Sequence, residues 1–183
     1  ASGLARLGAG TSGQFLQTNG TGANPSWGTV SSDMVKLTSV TLSSDASSID
    51  IDNLFSSTYR NYVCFYSGWG SVAGSWINMR PINSSGTVVS AAELTTLMAA
   101  TTVNSSANNV TTTDVWSGTE FYLTQTGGNE AYPSTGKITF YNPENTIAYK
   151  HYTIETIGWD GTTQLRSGAG GGVWFNTGAL RGF

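Results

Sequence analysis

The chain has 183 residues, only 10% of them charged, with a formal net charge of −3 and eight Lys and Arg in all. So few cations leave no basic patch for a phosphate backbone, which argues against nucleic-acid binding, and no apolar run approaches the ~20 residues of a membrane-spanning helix. Aromatic residues, at 11%, supply too much core material for a disordered chain, while a surface of hydroxyls and amides with little charge calls for cover by partner subunits.

Residues 1–30 read as an extended segment rich in Gly, Thr, Ser and Asn, with Leu4, Leu7, Phe15, Leu16 and Trp27 spaced along it. Such a run buries too little surface to fold as a monomer, yet it is too apolar for a linker. It makes physical sense if several copies bury those residues against each other. Asn19-Gly20 and Thr21-Gly22 read as turns, and Pro25 restrains the approach to Trp27. Residues 1–10 lack the continuous apolar core of a signal peptide. Residues 31–35 read as a joint, so the expected division is a collar over 1–35 and a β-sandwich over 36–183.

Short strands follow. In residues 36–42, Lys36, Thr38, Val40 and Leu42 share a face, with Ser39 and Thr41 opposite and Leu37 out of phase. In residues 48–52, Ile49 and Ile51 face one way and Asp50 and Asp52 the other. In residues 59–66, Tyr62, Cys64 and Tyr66 oppose Val63 and Phe65, so both faces are apolar and the second cover is expected from another subunit. Residues 75–80 form the next strand, ended by Pro81. Residues 91–100 read as a helix, with Leu94, Leu97 and Met98 at helical spacing and Ser90 as a cap, or equally as a loop with a short turn. Residues 101–113 read as a long loop or a weak edge strand. Strands are expected at 120–124, at 136–142 before Pro143, at 149–157 with Tyr152 and Ile154 opposite His151, Thr153 and Glu155, and finally at 170–175. Asp160-Gly161 reads as a turn. Eight or more short strands without a βαβ rhythm predict an antiparallel β-sandwich.

Candidate chemistry is sparse. Cys64, the single cysteine, reads as a small buried hydrophobe and cannot form an intrachain disulfide. His151, the single histidine, has no His/Cys/Asp cluster beside it, which argues against zinc. Asp50 and Asp52 on one strand face would stand ~6.5 Å apart, a spacing that glycoside hydrolysis permits, but a solvated face explains the pair more simply. Oxygen ligands at Asp50, Asp52 and Asn53 come without a calcium-loop motif. No catalytic, cofactor-binding or metal-binding residue is therefore assigned. Trp69 and Trp76 bracket a glycine-containing loop, Trp116 precedes Ser117-Gly118, and Trp159 precedes Asp160-Gly161. Indole rings at turns suit subunit interfaces first and sugar rings second, with Trp69 and Tyr132 expected to be exposed. Sequons at Asn19, Asn83, Asn104 and Asn109 are expected by chance at this Ser and Thr content.

The opening resembles the collar or stalk element of tailed-phage tail fibres and tail-tip proteins. The matching residues are Leu4, Leu7, Gly10, Thr11, Gly13, Gln14, Leu16, Asn19, Gly20, Gly22, Pro25 and Trp27. More loosely, Ser48-Ile49-Asp50, Tyr59 with Tyr62, residues 136–143 and Lys150-His151-Tyr152 are similar to a phage virion domain found behind such collars. The resemblance implies a jelly-roll-like, homotrimeric, non-enzymatic structural protein located in the virion. Such domains often continue with a Gly-rich last strand beyond the point where this chain ends, so two readings are open: completion of the sandwich by another subunit, or an end that is absent from this sequence. The implied partners are identical subunits, other virion tail or capsid proteins and, for an attachment role, a host surface glycan, with no nucleic acid and no membrane insertion. The alternative is a head-associated fibre, decoration or neck protein with a purely assembly role. A glycan hydrolase ranks third, for want of a carboxylate pair across a cleft.

Overall fold

A computed structural model describes residues 6–29, 34–68, 73–89, 94–104, 107–127, 133–159 and 164–183. Among them the chain is all-β, with antiparallel pairing throughout and no helix. The strands are β1 (Gln14–Gln17), β2 (Ser26–Thr29), β3 (Asn61–Gly68), β4 (Ala73–Met79), β5 (Ile82–Asn83), β6 (Leu94–Asn104), β7 (Ala107–Gly118), β8 (Phe121–Gly127), β9 (Ser134–Tyr141), β10 (Lys150–Trp159), β11 (Gln164–Trp174) and β12 (Leu180–Gly182). Two compact units divide at Thr41/Leu42. The first contains the β1–β2 hairpin. The second contains a six-stranded sheet in the order β3-β9-β10-β11-β6-β7, and two pairs, β4-β8 and β12-β5.

Alternation decides which face of the large sheet is inside. Tyr62 on β3, Ile138 and Phe140 on β9, and Tyr152 and Ile154 on β10 are buried, whereas the residues between them are exposed or half-buried. The inner face meets the β4–β8 pair: Met79, Phe121 and Leu123 complete the core, and the Phe121 and Tyr152 ring centroids lie 4.0 Å apart. β8 lies against β10, β9 and β6, and Leu180 on β12 joins the same core.

Glycine explains how two tyrosine rings cross that face. Tyr66 stands directly opposite Gly136, which stands opposite Thr156 on the next strand. With no Cβ in the way, the Tyr66 ring crosses the glycine and its hydroxyl donates to Thr156 Oγ1 at 3.0 Å. The same triplet recurs as Tyr152, Gly172 and Thr96, on β10, β11 and β6. There the Tyr152 hydroxyl donates to the Thr95 carbonyl at 3.1 Å and accepts from Thr96 Oγ1. Two strand spacings, ~9.6 Å, are within reach of a tyrosine and a threonine extended toward each other only if the middle residue is small. Each buried hydroxyl is thereby hydrogen-bonded.

Burial pushes the Tyr66 phenol up to about 12, and Tyr152 is raised as well, again by burial. In the unfolded chain both ionise near ~10. The folded pKa values lie above the unfolded one, so this contribution to stability is whole below about pH 10 and is lost as pH rises through the folded values. Tyrosinate absorbance is expected to show a late-titrating component that Tyr66→Phe and Tyr152→Phe each reduce, together with alkaline unfolding. A folded chain in which neither substitution changes the late component contradicts the triplets.

β12 has partners on both sides within this chain. β12 pairs with β5 on one side; on the other, Ile51 N–H donates to the Phe183 carbonyl at 2.7 Å and Phe183 N–H donates back at 3.1 Å. Phe183 stacks on Phe140, and Leu180 is fully buried.

Three local expectations are corrected. Residues 36–42 and 48–52 form no strands: their alternation has no partner ladder, every residue from 34 to 50 is exposed, and only Ile51 finds a backbone partner, in Phe183. Residues 94–100 are strand, not helix; β6 pairs with β11 on one side and β7 on the other, and that two-sided ladder outweighs the helical spacing of its apolar residues. Residues 101–113 are not a loop: β6 continues to Asn104, and β7 is an edge strand, as the second of the two readings has it, but twelve residues long. Ser90 and Asp160-Gly161 lie outside the described residues.

Candidate functional site

The β1–β2 hairpin leaves large apolar side chains partly exposed. Gly13 and Gly20 have φ of 87° and 96°, left-handed values that open the turn before β1 and the loop before β2. Gln14 N–H donates to the Thr11 carbonyl at 3.2 Å, and Gln14 Oε1 accepts from Thr11 N–H at 2.8 Å. Across the loop, Asn19 Nδ2 donates to the Asn24 carbonyl at 2.7 Å and to Ser26 Oγ at 3.1 Å. The sequon at Asn19 is thus a loop clasp.

In register, Phe15 faces Gly28 on one side of the hairpin and Leu16 faces Trp27 on the other. Both sides are therefore apolar. Trp27 Nε1 donates to the Gly8 carbonyl at 2.7 Å, and a Cβ on Gly10 would fall 2.7 Å from the indole, so the segment before β1 lies across that ring. This cover is incomplete: Trp27 remains 38% exposed, Phe15 44% and Leu16 58%. No described residue from 6 to 41 is buried. Leu4 lies outside the described residues.

The candidates from the second unit are dispersed. Trp69 and Tyr132 lie outside the described residues, and Trp116 is on β7. Trp76 is half-buried with the Arg166 guanidinium 5.2 Å from its ring centroid, and Trp159, at the end of β10, is half-buried too. Trp174 is 2% exposed; Lys150, itself buried, lies over its ring and donates to the Ala148 and Asn176 carbonyls at 2.9 and 3.4 Å. Burial lowers the Lys150 ammonium from its ordinary value. His151 is exposed on the outer face of β10. Cys64 is half-buried on the inner face, and burial pushes its thiol up, away from nucleophilic use.

Asp50 and Asp52 do not share a strand face, because no strand forms there. Asp52 instead takes a bidentate contact from Arg181, Nε to Oδ1 at 2.7 Å and Nη2 to Oδ2 at 2.6 Å, which holds its carboxyl below the usual range. Asn53 is left-handed, with φ of 53°. Among the described residues no group of three metal-ligating side chains converges. A shallow recess lined by Asn83, Ser85, Thr87, Val88 and Asn176 is occupied with its own hydrogen bonds: Asn83 Oδ1 accepts from Ser85 N–H, Ser85 Oγ and Thr87 N–H.

The outer face of the large sheet carries apolar side chains that single strands announce only in part. Val63 and Phe65 were legible from β3. Tyr141, Ile157 and Val173 join them only once the register is known.

Comparison with family models, curated proteins and solved structures finds no match to this chain.

Proposed function

We propose that the chain is a structural subunit of a tailed-phage virion appendage, a tail fibre or tail-tip component, assembled as a homotrimer through its N-terminal hairpin. The observation that carries this reading is a hairpin with two apolar faces and no buried residue. Two four-residue strands are at best marginally stable alone in water. Three copies wound together would turn Phe15, Leu16 and Trp27 into a shared core, with glycine turns admitting the close approach. The motif spacing and the low surface charge support the same reading. The role is mechanical: to hold a β-rich domain at a fixed place on a particle.

Mass photometry of the full chain is expected to give three copies. Leu16→Glu is expected to weaken assembly tenfold or more, because a carboxylate replaces a shared apolar contact (about 2 kcal/mol or more). A wild-type chain that is monomeric at micromolar concentration overturns the proposal. Antibody labelling of particles separates the two locations: decoration of the tail supports the appendage, and decoration of the head overturns it in favour of the assembly-only alternative.

A further inference from the structure

The chain enters the second unit through residues that touch little: every residue from 42 to 50 is exposed. Contact begins at Ile51, and it is made far along the chain. Ile51 and Phe183 exchange two backbone hydrogen bonds, at 2.7 and 3.1 Å. Leu54 and Phe55 N–H both donate to the Arg181 carbonyl, at 2.7 and 3.0 Å, which uses both lone pairs of that oxygen. Between these bonds the Arg181 guanidinium grips Asp52 with two donors. A fork of this kind, unlike a single-point surface pair, has a fixed geometry and two charge-assisted bonds.

Glycine lets the two segments close. A Cβ on Gly182 would run into the Ile51 carbonyl and stand 2.9 Å from Asp52 Cα, and a Cβ on Gly86 would stand 3.2 Å from Arg181 Nη1. β12 is itself fixed to the core. Leu180 is fully buried, its N–H donates to the Pro143 carbonyl at 3.0 Å, and the strand pairs with β5. Only after this fastening does the chain reach β3, which begins at Asn61 and is an edge strand with β9 as its one ladder partner.

We propose that residues 51–55 and 180–183 form a strain relief: a pull arriving along the chain from the first unit is taken up at Asp52 and Arg181 and passed through β12 into the core. Without it the pull would act on Asn61, at the end of an edge strand that can be peeled from β9 one bond at a time. The proposal deepens the mechanical reading above and rests on it for the source of the pull. The fastening itself lies within one chain and needs neither the hairpin nor a second copy.

The test is force spectroscopy on the full chain, held at Val35→Cys and His151→Cys in a Cys64→Ser background. Both handles are exposed, one before the fastening and one on an inner strand of the large sheet. At constant force the lifetime of the first rupture is expected to fall about tenfold with Arg181→Leu and with Asp52→Asn. Arg80→Leu is the control, since it breaks a pair with Glu120 in the same unit but off this path. Hydrogen exchange on the chain with native Cys64 gives a second measurement. Arg181→Leu is expected to speed exchange at Ile51, Leu54, Phe55 and Phe183 together, about tenfold, while the β9–β10 ladder stays protected. Lifetimes that Arg181→Leu and Asp52→Asn leave unchanged, or that Arg80→Leu shortens as much, overturn the strain relief; so does exchange at those four amides no faster than in wild type. A monomer by mass photometry with lifetimes that depend on Arg181 removes the hairpin reading and keeps this one. Three copies with lifetimes indifferent to Arg181 do the reverse.

Discussion

Gly172→Ala is expected to destabilise the second unit by about 3 kcal/mol or more, and Gly136→Ala by a comparable amount. A methyl group on Gly172 would occupy the place of the Tyr152 ring, with Cζ only 2.6 Å away, and would press on the Thr95 carbonyl. Tyr152 would have to leave, and the neighbours that satisfied its hydroxyl, Thr96 Oγ1 and the Thr95 carbonyl, would lose a partner in a buried place. At Gly136 the added atom would stand 2.6 Å from the Glu155 carbonyl and as close to Tyr66 Cζ. Backbone cannot yield there without breaking the β9–β10 ladder. Thermal melts followed by near-ultraviolet circular dichroism check this. A fall in Tm of about 10 °C is expected for a chain of this size. Gly118→Ala is the control, since nothing lies within 4 Å of its missing Cβ. Equal melts for Gly172→Ala and Gly118→Ala contradict the triplet account.

These glycines also mark where sequence reading stops. The final strand is legible from Gly170 onward, through Val173 and Trp174, yet β11 begins at Gln164. Glycine carries no apolar phase, so nothing along the chain distinguishes Gly168 from a loop or says why position 172 is glycine. The reason for Gly172 lies across the sheet, in Tyr152 and Thr96. By contrast, β10 is legible from one end to the other, because Tyr152 and Ile154 alternate with His151, Thr153 and Glu155 and the core takes one set. β3 is legible in the same way, including the surplus apolar face at Val63 and Phe65. Residues 48–52 show the converse. Their alternation is as clean as that of β10, but a strand is a pairwise object, and among the described residues only Phe183 offers them a backbone partner, at Ile51. The apolar spacing of Leu94, Leu97 and Met98 satisfies a helix and permits a strand, and only the β11 and β7 ladders decide between them.

The hairpin was legible in its turns more than in its strands. Asn19-Gly20 and Pro25 fix a reversal, and Leu16 and Trp27 then meet across it. The carboxylates were legible only as a pair. Asp52 is committed to Arg181 from 129 residues away, a contact that spacing along the chain cannot reveal.

Phe121→Ala is expected to cost about 3–5 kcal/mol, since Phe121 is 1% exposed and joins the small sheet to the large one. Against a typical total of ~5–15 kcal/mol for a domain, that is enough to leave a measurable unfolded fraction at physiological temperature. The reason for singling out Phe121 is its neighbour. Its ring lies against Tyr152, at 49° between planes, so the same tyrosine is fixed within its sheet by Gly172 and Thr96 and capped from the other layer by Phe121. Gly172→Ala and Phe121→Ala therefore act on one side chain, and their effects should not add. Once Tyr152 has been displaced by a methyl on Gly172, Phe121 has already lost its principal ring contact, and removing it costs less. Denaturant melts of the two single variants and the double are expected to give a sum that exceeds the double by about 1 kcal/mol or more. Additive losses would mean that the two layers are joined without passing through Tyr152.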